Sequence, residues 1–220
     1  MSVTEIMPLI GKELWATIYM TLVSTLASYI LGIPLGLVLV VTDADGIRPN
    51  LAVNRVLGGI VNALRSVPFI ILTVAVIPIT RFIVGTSIGS TATIVPLVIA
   101  ATPYIARMVE SSVKEVDRGV IEASLSMGAS PLQVVLKVML PEAKPSLIIG
   151  AAIATTTILG YSAMAGFVGG GGLGAIAINY GYYRNQTGIM IVMIILLILI
   201  VQIIQEIGNV IARKTDKRIR

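Results

Sequence analysis

The sequence predicts an all-α integral membrane protein with five transmembrane helices and a cytoplasmic helical segment between the third and fourth of them. Three observations support this prediction. Of the 220 residues, 56% are hydrophobic and only 12% are charged, whereas a soluble domain carries about 25% charged residues. The apolar residues are gathered into five long stretches. The basic residues are concentrated in the segments on one side of those stretches.

The five apolar stretches have the length that a bilayer requires, since a spanning helix needs about 20 residues, within about 17–25. They cover residues 15–41, 57–79, 92–109, 146–168 and 188–209. The third is apolar only to residue 106, but its helix can continue past Arg107 as it leaves the bilayer. We expect residues 1–14 to lie at the outer interface, residues 15–212 to form the membrane domain, and residues 213–220 to form a basic tail.

The placement of lysine and arginine predicts the orientation of these spans, because cytoplasmic loops carry an excess of both. Five basic residues lie in the C-terminal tail, five from Arg107, where span three leaves the bilayer, to Lys144 before span four, and two in the first loop, against three on the opposite side. The N-terminus is therefore expected outside and the C-terminus in the cytoplasm. This placement explains the net charge of +5, so the predicted partner is a lipid bilayer and not a nucleic acid.

The composition excludes several kinds of active site. The chain has no cysteine and no histidine, which removes thiolate nucleophiles, Cys-based metal sites and the commonest general base. No span carries the paired acidic residues that an intramembrane metal or aspartyl site would need. No G-x-x-x-x-G-K-[ST] phosphate loop occurs. We therefore predict no catalytic residue, no metal site and no cofactor bound by this chain.

The spans differ in composition. Span four is rich in small and hydroxyl residues, and Gly150 with Ala154 forms a pair that lets helices approach closely. This predicts a central span that is tightly packed or lines a pathway. Five prolines interrupt the other spans, and each marks either a broken helix or a tolerated kink. These are Pro34, Pro68, Pro78, Pro96 and Pro103.

The segment between spans three and four begins with the signals of a short helix. Asp117 is placed to cap a helix over residues 120–127, in which Ile121 and Leu125 share one face. Gly128 suits the left-handed position that follows a helix end. These signals favour a shaped element over a loop that merely connects two spans.

A second short helix is predicted directly after Gly128. Ser130 stands at an N-cap position, Pro131 at the favoured first position, and Gln133 completes a capping box. We expect Pro141 and Pro145 to end this helix before span four. The segment is thus predicted to be a helix, a tight turn and a helix at the cytoplasmic surface.

At these residues the sequence resembles the permeases of ATP-binding-cassette (ABC) importers. Glu122-Ala123-Ser124, then Gly128, then Val138 and Leu140-Pro141 match their EAA signature, with Ser124 for the third alanine and Val138 for isoleucine. In that family the loop carries a coupling helix that docks into a cleft on a cytoplasmic ATPase subunit. The resemblance implies the following coupling residues: Glu122, Ala123, Ser124, Gly128, Ala129, Ser130, Pro131, Leu132, Leu140 and Pro141.

Longer stretches resemble the bacterial methionine-uptake permeases within that family. They are Arg65–Phe69, Ile83–Gly89, Pro103–Glu110, Gly160–Met164, Gly170–Gly174 and Asn179–Tyr182. The resemblance implies a type I ABC importer domain that translocates L- and D-methionine across the bacterial inner membrane as a homodimer. It also implies two cytoplasmic ABC ATPase subunits, which bind ATP and Mg, and an external lipid-anchored substrate-binding protein.

Pathway or gate roles are expected for residues of spans two and four, namely Arg65, Pro68, Phe69, Thr156, Tyr161, Ser162 and Met164. Arg65 lies near the cytoplasmic end of its span and can snorkel, which favours a gate or stabilising role over substrate binding. Met164 is either a constriction or a core residue. The glycine run from Gly169 to Gly174 is either a flexible hinge or a close-packing site.

Three other functions are compared with this one by the residues that each would need. The main alternative is a permease of the same architecture that imports another amino acid or small solute. An intramembrane enzyme lacks the residues it would need, and a passive channel or scaffold would not need the shaped loop around Gly128.

Overall fold

In the computed structural model, which describes the backbone of residues 3–215 and the side chains of residues 7–215, the chain is helical apart from short connections. No strand occurs in the described range. The all-α prediction is therefore confirmed. The predicted tail beyond Thr215, and residues 1 and 2 of the predicted interfacial segment, lie outside the described residues.

Within the described part of the chain, four helices are long and apolar enough to cross a membrane, and the count reaches five when one bent pair of helices is taken as a single span. The long helices are α1 (Val3–Thr42), α5 (Ser90–Lys114), α8 (Leu140–Ala165) and α10 (Thr187–Thr215). The bent pair is α2 (Leu51–Ser66) and α3 (Phe69–Ala75), and α4 (Ile77–Val84) follows it. The five predicted spans correspond to these helices.

The second span is broken, which is one of the two outcomes that its prolines allow. α2 ends at Ser66, and Pro68 stands at the N-cap of α3 with an extended backbone, φ −58° and ψ 135°. A proline ring disfavours helical geometry in the preceding residue, here Val67, and cannot donate a helical hydrogen bond. Pro78 lies in the first turn of α4, where a missing N–H costs little.

Pro34, Pro96 and Pro103 lie inside α1 and α5 without ending either helix. These prolines do not break their helices, so proline has different structural consequences in different spans. In an apolar environment, neighbouring helices and hydroxyl groups can satisfy the backbone carbonyls that a proline leaves free.

The segment after α5 contains α6 (Arg118–Ser126) and α7 (Pro131–Val134). α7 runs through a π-helical stretch, Val135–Met139, directly into α8. The expectation that Pro141 and Pro145 end the second loop helix is therefore wrong, since both lie within α8. The i→i+5 spacing of the π stretch shifts the backbone hydrogen bonds just before Pro141, which accommodates its missing donor.

The described residues fall into two compact units. Unit 1 comprises the residues up to Ser28, Val67–Ala101 and Ala154–Gln205. It contains α9 (Gly172–Ile176), which begins within the glycine run after a short 3-10 turn and continues as a π-helical stretch, Ala177–Tyr182. Its core includes a cluster from α1, α9 and α10, formed by Ile10, Leu173, Ile176, Ile189 and Met193.

Unit 2 comprises Tyr29–Ser66, Thr102–Ile153 and the residues from Glu206 onward. Within it, α1 and α5 approach closely at two glycines of α1. A Cβ atom on Gly32 would lie 3.0 Å from Cβ of Ile105, and one on Gly36 would lie 2.8 Å from Cβ of Val109. This contact positions the end of α5, from which α6 and α7 follow.

Candidate functional site

The first loop helix, α6, is capped by the residue that the sequence predicts. The Asp117 carboxylate accepts hydrogen bonds from the backbone N–H groups of Gly119 and Val120, at 2.7 and 3.3 Å. An aspartate at this position stabilises a helix by about 1 kcal/mol relative to alanine. The predicted start of the loop element is confirmed.

The turn between α6 and α7 is also as predicted. Gly128 has φ +85°, in the left-handed region that favours glycine. Its N–H donates to the Leu125 carbonyl at 2.9 Å, and the N–H of Ala129 donates to the Ser124 carbonyl at 3.1 Å. These bonds satisfy carbonyls at the helix end, as in other glycine-terminated helices.

A capping box begins α7. The Ser130 hydroxyl accepts from the Gln133 N–H at 3.4 Å, and the Gln133 side chain accepts from the Ser130 N–H at 2.8 Å. Pro131 occupies the first turn. The helix, turn and helix are thus held by local hydrogen bonds at three successive points, so the loop has a defined shape.

The predicted coupling residues do not all lie on one surface. Most are exposed: Glu122, Ala123, Gly128, Ser130, Pro131, Leu132 and Pro141. Ala129 and Leu140 are half-buried. Ser124 is buried, and its hydroxyl donates to the Val120 carbonyl at 2.8 Å, inside its own helix.

Two large apolar side chains are exposed beside the turn, and the sequence analysis missed one of them. Met127 is 81% exposed and Leu132 is 67% exposed, and they stand on the two sides of Gly128. Large apolar side chains grouped at a surface mark sites of protein interaction. The sequence feature that could have identified Met127 is its position as an apolar residue immediately before the left-handed glycine.

The structure brings two of the predicted pathway residues into direct contact. The rings of Phe69 and Tyr161 are stacked, with centroids 4.7 Å apart and planes within 5° of parallel. Phe69 is buried and Tyr161 is half-buried. This pair ties α3, just after the break at Pro68, to α8.

The other predicted pathway residues are distributed along α2 and α8. Ser162 is buried, and its hydroxyl donates to the Leu159 carbonyl at 2.7 Å. Met164 is 40% exposed, and Thr156 is half-buried. Arg65 lies in the last turn of α2 and Pro68 just after it, and both are exposed.

The glycine run is a close-packing site, which settles the choice that the sequence leaves open. A Cβ atom on Gly170 would lie 2.7 Å from the Thr93 hydroxyl, and one on Gly172 would lie 2.7 Å from the Thr17 hydroxyl. A Cβ atom on Gly174 would overlap the Ala163 carbonyl. Gly172 also has φ +77°, so it needs glycine for both reasons.

Residues of α1 cap the start of α9, because its own N-cap, Gly171, has no side chain. The Glu13 carboxylate accepts from the Gly172 N–H, and the Thr17 hydroxyl accepts from the Leu173 N–H at 2.8 Å. Thr17 also donates to the Glu13 carbonyl at 2.9 Å. The first two N–H groups of α9 are therefore satisfied from another helix.

We predict that Thr17→Val lowers stability, because it leaves the buried N–H of Leu173 without its acceptor. The expected loss is about 1–3 kcal/mol, the usual cost of an unsatisfied buried donor. Thermal unfolding of the purified protein in detergent measures it.

Thr21→Val is the matched control. Thr17 and Thr21 lie one turn apart and are 1% and 2% exposed, but the Thr21 hydroxyl has no partner among the described residues. Its loss is therefore expected to be neutral or slightly stabilising. Equal destabilisation by the two changes would contradict the capping role of Thr17.

Known proteins match this chain over the whole of the loop around Gly128 and over most of its length. A family model described as "binding-protein-dependent transport system inner membrane component" matches residues 32–217. A protein of Vibrio cholerae serotype O1 named probable D-methionine transport system permease protein MetI is 52% identical over 204 residues, which cover 93% of this chain and 91% of the relative. The D-methionine transport system permease protein MetI of Escherichia coli K12 is 51% identical over 158 residues, which cover 72% and 73%.

Solved structures show the same fold. A chain from a structure described as inward-facing conformations of the MetNI methionine ABC transporter superposes with a TM-score of 0.96 at 47% identity, covering 99% of this chain and 100% of that one. A chain from an amino acid ABC transporter has a TM-score of 0.78 at 18% identity, covering 97% and 100%. The second likeness concerns the fold alone.

Proposed function

We propose, from the premise that this chain belongs to the family of binding-protein-dependent transport system inner membrane components, that it is the membrane-spanning permease subunit of an ABC importer of methionine. The observation that carries this function is the 52% identity to the Vibrio cholerae MetI protein over 93% of the chain. The chain is a transport subunit and not the ATPase. ATP hydrolysis belongs to a separate partner, which holds the ATP and Mg.

We infer that the working complex contains two copies of this chain, two cytoplasmic ATPase subunits and an external substrate-binding lipoprotein. Support for the ATPase partner comes from the loop around Gly128, which is rigidly capped and exposes Met127 and Leu132. The distribution of basic residues supports an outside N-terminus and a cytoplasmic C-terminus in the inner membrane. That orientation places the loop on the side where ATP is available.

Within the loop we assign different roles to different coupling residues. Met127 and Leu132 offer apolar side chains to an ATPase cleft, and Glu122 offers an exposed carboxylate on α6. Ser124 and Leu140 act as internal supports, since Ser124 is buried against its own helix and Leu140 begins α8. A docking surface of this kind combines apolar anchors with a polar edge.

For the substrate pathway we propose a narrow, largely neutral route beside α8. Methionine has an apolar thioether, and sulfur makes favourable contacts about 5 Å from aromatic rings. Tyr161, which is half-buried and stacked on the buried Phe69, provides such a ring. Met164 lies in the last turns of α8, three residues after Tyr161, and is 40% exposed; we assign it to a constriction of this route.

Stimulation of ATP hydrolysis tests this function. The complex of this chain with its ATPase subunit would be purified and supplied with binding protein loaded with L-methionine, D-methionine or another amino acid. We expect the methionine-loaded forms to raise the ATPase rate and to drive uptake into proteoliposomes. Unloaded binding protein is the control.

Two failures of this test have different meanings. Equal stimulation by unrelated amino acids would reject methionine and favour the alternative, a permease of the same architecture for another small solute. If no ATPase subunit binds through the segment from Asp117 to Pro141, the permease role itself is rejected.

A further inference from the structure

A continuous chain of ion pairs lies within unit 2 immediately before the coupling loop. Arg107 pairs with Glu110 at 2.6 Å, as the i, i+3 spacing of these residues in α5 suggests. The other oxygen of Glu110 accepts from the Lys114 ammonium at 2.9 Å, and Lys114 also contacts Asp43 at 2.5 Å. Glu110 is therefore the central member, and the chain joins α5 to the loop that follows α1.

The same chain reaches α2 through the second terminal nitrogen of Arg107. It donates to the Gly58 carbonyl at 3.1 Å and to the Asn62 side-chain oxygen at 3.0 Å. A Cβ atom on Gly58 would lie 3.1 Å from that nitrogen, so the glycine leaves room for the guanidinium. Three segments of unit 2 are thus connected by charged hydrogen bonds.

Burial makes Glu110 the member whose charge matters most. Its side chain is 10% exposed, whereas those of Lys114 and Asp43 are 45% and 32% exposed. A buried carboxylate is stable only when it is paired, and the loss of its charge leaves both of its cations without their common partner. The hydrogen bond from Lys114 holds the pKa of Asp43 below its ordinary value, so Asp43 is ionised at neutral pH.

The chain ends where the coupling loop begins. Lys114 is the last residue of α5, and Asp117 caps α6 three residues later. A cavity of about 400 Å³ is lined by Asp43 and Lys114 of this chain and by residues of α6, Glu122 among them. Buried apolar side chains, among them Val113, Val116 and Met139, also line this space, so the ion pairs add to their packing at this end of the loop.

We infer that Glu110 is a positioning residue for energy coupling: it holds the base of the coupling loop to α2 and to the first loop, so that movement of α6 displaces these segments instead of bending the connection. This inference rests on the proposed function. It concerns the efficiency of coupling, since Glu110 is buried and cannot itself form the docking surface.

Glu110→Gln tests the inference, because the amide keeps the shape of the side chain and one acceptor but removes the charge. Uptake of methionine and ATP hydrolysis would be measured together in proteoliposomes that contain the full complex. We expect the loaded binding protein still to stimulate ATP hydrolysis, while the methionine imported per ATP falls about fivefold or more, the low end of common coupling effects between sites. Lys114→Arg keeps the positive charge and is expected to retain the wild-type import per ATP. Lys114→Gln removes the charge and is expected to lower the import per ATP.

Two aspartates of the first loop provide a matched pair. Asp43 belongs to the chain, and Asp45 only forms an exposed pair with Arg118 at 3.2 Å, in which both side chains are 73% exposed. Such surface pairs contribute little. Asp43→Asn is therefore expected to lower the import per ATP, and Asp45→Asn to leave it unchanged.

The outcomes separate this inference from the function on which it rests. If Glu110→Gln reduces the amount or the melting temperature of the complex but leaves the import per ATP at the wild-type value, the chain is merely structural and the inference is overturned. A proportional loss of hydrolysis and import would overturn it too. If the wild-type complex itself shows no methionine-stimulated hydrolysis, the proposed function fails and the inference fails with it.

Discussion

Replacing Gly174 with alanine is expected to abolish transport and to lower the thermal stability of the complex sharply. A Cβ atom at this position would overlap the backbone of Ala163, and backbone atoms cannot move aside as the end of a flexible side chain can. Forcing an extra carbon into a packed site costs about 1–3 kcal/mol and sometimes more. The effect reaches function because Ala163 is next to Met164, our candidate constriction. Thermal unfolding and methionine uptake measure the two consequences.

Gly11→Ala is the control for Gly174→Ala. Gly11 is also helical and belongs to the same unit, but a Cβ atom there would meet no other atom within 4 Å. Alanine is favoured over glycine inside a helix by roughly 0.5–1 kcal/mol. We expect this variant to be at least as stable as the wild type. If Gly174→Ala were equally well tolerated, the close-packing account of the glycine run would be wrong.

Replacing Gly128 with valine is expected to lower methionine-stimulated ATP hydrolysis at least about tenfold. The left-handed backbone at φ +85° costs an L-residue about 1–2 kcal/mol, so the turn is expected to change its geometry and not to keep its shape under strain. The turn sets the spacing between Met127 and Leu132, which we assign to the ATPase cleft. Copurification of the ATPase subunit and the rate of hydrolysis measure the effect.

Gly85→Val separates loss of coupling from simple backbone strain. Gly85 has φ +82°, and a Cβ atom on either glycine would meet no other atom within 4 Å, so the strain introduced is comparable. Gly85 lies at the end of α4, in unit 1. We expect Gly85→Val to retain ATPase binding and stimulated hydrolysis. Equal loss in both variants would show that strain alone is responsible, and would remove the support for a docking turn around Gly128.

Much of the fold could be predicted because the relevant free energies are local. The five spans follow from the transfer of about 20 consecutive apolar residues into lipid. The caps of α6 and α7 follow from hydrogen bonds between residues two or three positions apart, such as Ser130 with Gln133. Signals of this kind are complete within a short window of sequence, so the shape of the coupling loop could be predicted.

The effect of each proline on its helix could not be predicted from local sequence signals. Pro68 ends a helix, whereas Pro34 and Pro103 lie within continuous helices. The expected end at Pro141 was wrong because a π-helical stretch precedes it. The same missing N–H and the same ring have different consequences, since the surrounding helices decide whether the freed carbonyl finds another partner.

By itself, the sequence determined an all-α membrane protein, five apolar spans and a capped loop with an ABC-importer signature. Only the tertiary structure decided that the glycine run is a packing site, that Glu13 and Thr17 cap a helix more than 150 residues away, and that Asp43 joins Glu110 through Lys114. The physical reason is that these features depend on the distance between remote segments. The energy of a hydrogen bond, an ion pair or an overlap with a Cβ atom changes strongly when the separation changes by about 1 Å. No pattern within one segment specifies that separation.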